Sequence, residues 1–129
     1  MINSLKKGHS GEREFCLWLK KNLNLEETPL RNLSQTRDGG YDIYLEPFMF
    51  EIKRVEKLNK SAWWKQVKKA SKLIENSIPV VAYRQNRKSW NFLIGSRYLG
   101  LHGGFIQLRE EIFVNWIRLK FMEFNEKSS

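Results

Sequence analysis

Asp42 and the triplet Glu51-Ile52-Lys53 are separated by eight residues, and both fall in runs that read as β-strands. Residues two apart in a strand share a face, so Glu51 and Lys53 stand side by side while Phe50 and Ile52 take the other side. A tight turn at Pro47 makes the two strands a hairpin and brings Asp42 within a few ångströms of Glu51. Two neighbouring carboxylates repel unless a cation lies between them. A divalent cation held by oxygen ligands removes that cost. A third acid, Glu12, lies three residues before Phe15 and four before Cys16. It therefore belongs to the inward stripe of an amphipathic helix, whereas Glu14 lies about 200° round from it.

The rest of the composition says what such a cation would act on. The chain of 129 residues carries 23 Lys and Arg against 14 Asp and Glu, a net charge of +9 with pI near 9.8. A domain this basic is matched to a polyanion, nucleic acid first. An anionic membrane surface is the weaker alternative, because no apolar run approaches the roughly 20 residues of a spanning helix. One cysteine, Cys16, excludes a disulfide framework and Cys-based zinc sites, and His9 and His102 are isolated. Any metal would therefore be held through oxygen, which points to magnesium, manganese or calcium. A cation at Asp42 and Glu51 would polarise a phosphodiester. Lys53 would orient or activate the attacking water, or stabilise charge on the reacting phosphate.

The elements that must position these groups are legible from periodicity. With Ser10 as its cap, a helix is expected to run to about Asn24, burying Phe15, Leu19 and Leu23. LRNLS can form a strand, and RDGG at 37–40 signals a turn. YDIYLE (41–46) and FMFEIKRV (48–55) form the hairpin. Residues 61–76 read as a helix, with Trp63, Val67, Ala70 and Ile74 inward and Lys65, Lys69 and Lys72 on another face. Trp63 and Trp64 differ by about 100° around it, so one of them should face away from the core. Strands are expected at 78–84, 89–95 and 105–109, then a final helix over 110–124. That helix is apolar on more than one face, which fits either cover by a second chain or closure of the core. A single domain over 1–129 follows, an α/β fold of one mixed sheet flanked by helices. The segment MINSLKKGHSGERE lacks an apolar core of the kind that directs secretion, so a cytoplasmic location is expected.

The spacing of Asp42 and Glu51-Ile52-Lys53 resembles the PD-(D/E)XK nuclease superfamily. The wider pattern is similar to Holliday junction resolvases of the archaeal and phage type. K7-G-H-S-G-E12-R13-E14 resembles their opening helix, G40-Y-D42-I their aspartate strand, and F50-E-I-K53 their catalytic strand. I78-P-V-V-A-Y and S89-W-N-F-L-I resemble their closing strand pair. The similarity spans a core of roughly residues 6–95, with 96–129 as a strand and helix extension beyond it. The resemblance implies a restriction-endonuclease-like sheet and a homodimer. It further implies magnesium-dependent resolution of four-way DNA junctions by paired phosphodiester hydrolysis.

On that resemblance Glu12, Asp42, Glu51 and Lys53 form the catalytic set. Asp42 and Glu51 would bind the metal directly, the Ile52 carbonyl could add a ligand, and Glu12 would bind it directly or through water. Ser34 could fill the place of a polar residue that precedes the aspartate. Gln66 resembles a trailing glutamine of the superfamily but is read as an exposed helix residue. Lys6, Lys7, Arg13, Arg37, Arg54 and Lys57 flank the acids and would neutralise phosphates. Arg54 falls outside the catalytic set, because it points with the core-facing residues or into a loop. No base-reading helix is present in the pattern, so recognition by DNA shape is expected. The alternatives are another nuclease of the superfamily, such as a nickase, a replication nuclease or a restriction-type enzyme, and a catalytically silent nucleic-acid-binding domain.

Overall fold

A computed structural model describes residues 4–32, 40–54 and 56–128, with side chains from Gly11 onward. Lys6 and Lys7 lie in a helix whose side chains there fall outside that description. Arg37, Ser34 and most of the RDGG turn lie outside it altogether.

The elements run α1 (Ser4–Leu23), β1 (Ile43–Leu45), β2 (Phe48–Arg54), α2 (Lys60–Ser71), β3 (Ile78–Arg84), β4 (Asn91–Gly95), a 3-10 turn (Ser96–Leu99), β5 (Phe105–Arg109) and α3 (Glu110–Ser128). The five strands form one mixed sheet in the order β1-β2-β3-β4-β5. β2 and β3 are parallel, and the other three pairings are antiparallel. The parallel pair requires a crossover, which α2 supplies. The α/β fold with a mixed sheet and flanking helices is thus the one expected.

Alternation along β2 assigns the faces. Phe50 and Ile52 join Phe15 and Leu19 of α1, Val80, Ala82, Phe92, and Phe113 and Ile117 of α3 in one buried cluster. On the opposite face Trp63, Trp64 and Val67 of α2 pack with Val81, Tyr83 and Leu93. The sheet is therefore a filling between α1 and α3 on one side and α2 on the other.

Several expectations are corrected. α1 begins at Ser4, so Ser10 lies within it and does not cap it. Gly11 is buried there, and an added Cβ would stand 3.2 Å from Arg54 Cβ. This glycine serves a close approach of α1 to β2. LRNLS contributes only a single bridge, Arg31 to Ile43, among the described residues. α2 stops at Ser71, not Asn76. Ser71 Oγ turns back to the Lys68 carbonyl at 2.7 Å, and Asn76 takes a positive φ of 64°. Competition by the serine hydroxyl for a helix carbonyl weakens the last turn, and the left-handed Asn76 keeps the chain from resuming the helix.

Neither of the paired tryptophans faces away from the protein. Trp63 and Trp64 are both buried, because Trp63 meets Tyr83 and Trp64 meets Phe105. α2 lies flat over the sheet, so positions about 100° apart both reach it. α3 closes the core through Phe113 and Ile117, with Phe113 stacked on Phe92 at 3.7 Å between ring centres. Ile112, Leu119 and Met122 of the same helix remain exposed.

Candidate active site

The hairpin delivers the first two acids. Ile43 pairs with Phe50, so the next step of the register sets Asp42 opposite Glu51. The Asp42 amide donates to the Phe50 carbonyl at 3.0 Å. Its carboxylate, at Oδ2, accepts from the Ile52 amide at 2.7 Å. A side chain thereby takes the place of a ladder partner and holds β1 against β2 just where β1 begins. Both groups of one strand residue point to the same neighbour. The Ile52 carbonyl therefore faces the same edge as Asp42.

Glu51 is 2% exposed, on the α2 side of the sheet. Its Oε1 lies 3.4 Å from Lys53 Nζ and accepts from Gln66 Nε2 at 3.0 Å. Its Oε2 is buried with no hydrogen-bond partner. Burial, with the Asp42 charge next, pushes the Glu51 pKa up to about 8, and Lys53 only partly offsets this. Glu12 reaches the cluster from α1. It is 9% exposed, and burial followed by the charge of Asp42 raises its pKa to about 7. Arg31 Nη1 lies 3.7 Å from Glu12 Oε2 and opposes that rise. Asp42 is thus the common neighbour of two acids that approach from opposite faces of the sheet.

The structure brings Glu12, Asp42, Glu51 and Lys53 together, and it adds two residues. Gln66 is not the exposed helix glutamine expected, because α2 crosses the Glu51 face and presents it to that carboxylate. Arg31, within the LRNLS segment read as a strand, carried no signal of a role at the site. Around this centre Arg13 and Lys57 are exposed. Arg54, one residue beyond Lys53, turns to the α1 face and is paired with Glu14. Glu14 also accepts from Arg84 Nη1 at 3.1 Å, Arg84 being the register partner of Arg54. Glu14 therefore faces away from the acids, as its helical angle requires, and anchors α1 to the ends of β2 and β3. Cys16 is buried, and its thiol is pushed up to about 11, mainly by burial. It is a core group and not a nucleophile.

Among the described residues, no group of three or more His, Cys, Asp or Glu converges as a full metal cage. Magnesium does not demand one, since it is commonly held by one or two carboxylates with several waters. The donor set matches a hard cation: the carboxylates of Asp42 and Glu51, the Ile52 carbonyl, and an unpartnered buried oxygen at Glu51 Oε2. Among the described residues no helix is long and apolar enough to cross a membrane.

No family model matches the chain, and a comparison with curated proteins gives no significant match. Among solved structures, Hjc, a Holliday junction resolvase from Archaeoglobus fulgidus, is similar over 82% of this chain and 86% of that chain. The identity is 17% and the TM-score 0.48.

Proposed function

We propose that this chain is a magnesium-dependent endodeoxyribonuclease that resolves four-way DNA junctions as a homodimer, in the service of recombination and repair. One observation carries the reading: a buried, partly unsatisfied Glu51 carboxylate held between Asp42 and Lys53. Burying charge without compensation is costly, and such arrangements concentrate at sites of chemistry. The net charge of +9 fits a phosphodiester substrate. The wider resemblance, from K7-G-H-S-G-E12-R13-E14 through G40-Y-D42-I and F50-E-I-K53 to the closing strand pair, supplies the junction.

Asp42, Glu51 and the Ile52 carbonyl would hold the cation, with Glu12 reaching it through water. When bound, the cation supplies charge stabilisation at the phosphate and a more acidic water. The Lys53 side chain is 23% exposed beside Glu51, so it can reach substrate from a fixed position. It orients the attacking water or neutralises charge that develops on the phosphate oxygens. Gln66 fixes the Glu51 rotamer by occupying Oε1. Paired cutting of opposed strands needs two such centres, hence a second copy of the chain.

The deciding experiment compares wild type, Asp42→Ala and Glu51→Ala on a four-way junction, a flap, a nicked duplex and a linear duplex in magnesium. Cutting of the junction that depends on both acids, with DNA binding retained in the variants, is expected. Preferred cutting of another substrate would reassign the specificity and leave the centre intact. The second reading is a silent nucleic-acid-binding domain, which the net charge of +9 serves equally well. It predicts DNA binding with no cutting in magnesium or manganese.

A further inference from the structure

α2 separates the acid cluster from a second feature with the opposite character. A cleft of about 370 Å³ opens between α2, the 3-10 turn and α3. Among the described residues its lining carries four cations, Lys68, Arg97, Lys120 and Lys127, against one acid, Glu123. Glu123 is itself engaged by Lys120 at 3.4 Å. Tyr98 gathers two of the cations: the Arg97 guanidinium lies 5.3 Å and the Lys120 ammonium 5.6 Å from its ring centre. Cation–ring contacts of this kind hold the charges in place. Lys68, Arg97 and Lys127 are exposed and enter no ion pair with an acid of the described lining, so they are available to an incoming polyanion.

The placement relates this cleft to the acids. Its floor includes Pro47, Ile78 and Pro79. Ile78 pairs with Phe48, three residues before Glu51, so the floor lies about 10 Å along the sheet from that carboxylate. On α2, Gln66 faces Glu51 while Lys68, two positions on, is turned about 200° from it. Lys65, Lys69 and Lys72 are exposed on the ridge between them. A nucleic-acid backbone running from Lys53 to the cleft would cross α2, about 10–12 Å wide with its side chains, along these exposed lysines.

We propose that this cleft is a second contact for the backbone of duplex DNA, remote from the cutting centre, with Lys68 and Arg97 as its main phosphate ligands. The proposal rests on the nucleic-acid substrate argued above, and deepens it by naming where the molecule leaves the active site. It requires that binding strength and its salt dependence reside partly in residues that take no part in the chemistry.

The test is fluorescence anisotropy of a labelled duplex and a labelled four-way junction, in EDTA so that nothing is cut, across a series of sodium chloride concentrations. Lys68→Gln/Arg97→Gln is compared with wild type and with Lys21→Gln, an exposed position in the last turn of α1 that lines neither the acids nor the cleft. The double variant should bind about tenfold more weakly, and its slope of log affinity on log salt should shrink by roughly 1.8, the equivalent of two phosphates. Lys21→Gln should match wild type. Lys68→Gln/Lys127→Gln, at two exposed positions, gives the same reading where loss of Arg97 disturbs folding.

Wild-type affinity and slope in folded variants would overturn the cleft while leaving the cutting centre untouched. Calorimetric titration with adenosine monophosphate separates a small phosphate ligand from the polymer. Saturable uptake lost in the variants, with duplex binding unchanged, overturns the proposal. Wild-type protein that neither binds nor cuts DNA removes the nuclease reading first and the cleft with it.

Discussion

Gln66 Nε2 donates a 3.0 Å hydrogen bond to Glu51 Oε1, joining the crossover helix α2 to β2 at the most buried acid among the described residues. The bond leaves Glu51 Oε2 as the oxygen free to take a cation. Partners of this kind orient a ligand without touching the substrate, and their loss typically costs tenfold to a hundredfold in metal affinity or activity. Gln66→Ala is expected to raise the magnesium concentration for half-maximal cutting about tenfold, with a smaller effect at saturating metal. A magnesium titration of cleavage rate checks this. An unchanged half-saturation point would remove Gln66 from the site.

Asp42 and Glu51 should report the cation directly, without any substrate. At a pH above 8 a ligand that binds only the folded chain raises its melting temperature. Magnesium or manganese is expected to do so for wild type, and Asp42→Asn or Glu51→Gln to abolish the rise. Junction cutting in either variant should fall at least about a hundredfold. A metal-dependent melting shift that survives both substitutions would place the cation elsewhere.

The raised acids set a pH dependence for the metal-free protein. Glu12 is raised to about 7 and Glu51 to about 8, from an ordinary value of 4.5. Between those values the folded state holds more protons than the unfolded state, so stability falls as pH rises. The two acids should cost nothing below pH 4.5 and reach their full destabilising effect above pH 8. Glu51→Gln carries no charge to bury, so its melting temperature should fall less over that window and exceed wild type at its upper end. Thermal melts in EDTA across the range test the sign, and parallel curves for the two proteins would contradict the burial of Glu51 beside Asp42.

α3 should be integral to the fold. Phe113 is fully buried and stacks on Phe92 of β4. Phe113→Ala is expected to cost about 3–5 kcal/mol, measured by urea unfolding. Leu119→Ala, on the exposed face of the same helix, should change stability by less than about 0.5 kcal/mol. A small loss at Phe113 would mean that the helix is an appendage.

The sequence by itself determined the chemistry on offer and most of its local placement. Period-two alternation put Glu51 and Lys53 on one face of β2. Hairpin register put Asp42 opposite Glu51, and helical period turned Glu12 inward with Phe15 and Leu19. Each of these relations is local, set by backbone geometry within one element or across one tight turn. Only the tertiary structure decided what covers each face. The parallel pairing of β2 with β3 sends α2 across the Glu51 side, which converts Gln66 from a surface residue to a partner of the acid and buries both tryptophans. It also brings Arg31 to Glu12, ties Arg54 and Arg84 to Glu14, and closes Lys68, Arg97, Lys120 and Lys127 around one cleft. Those contacts join residues far apart in the chain, and periodicity fixes the direction of a side chain without fixing its neighbour.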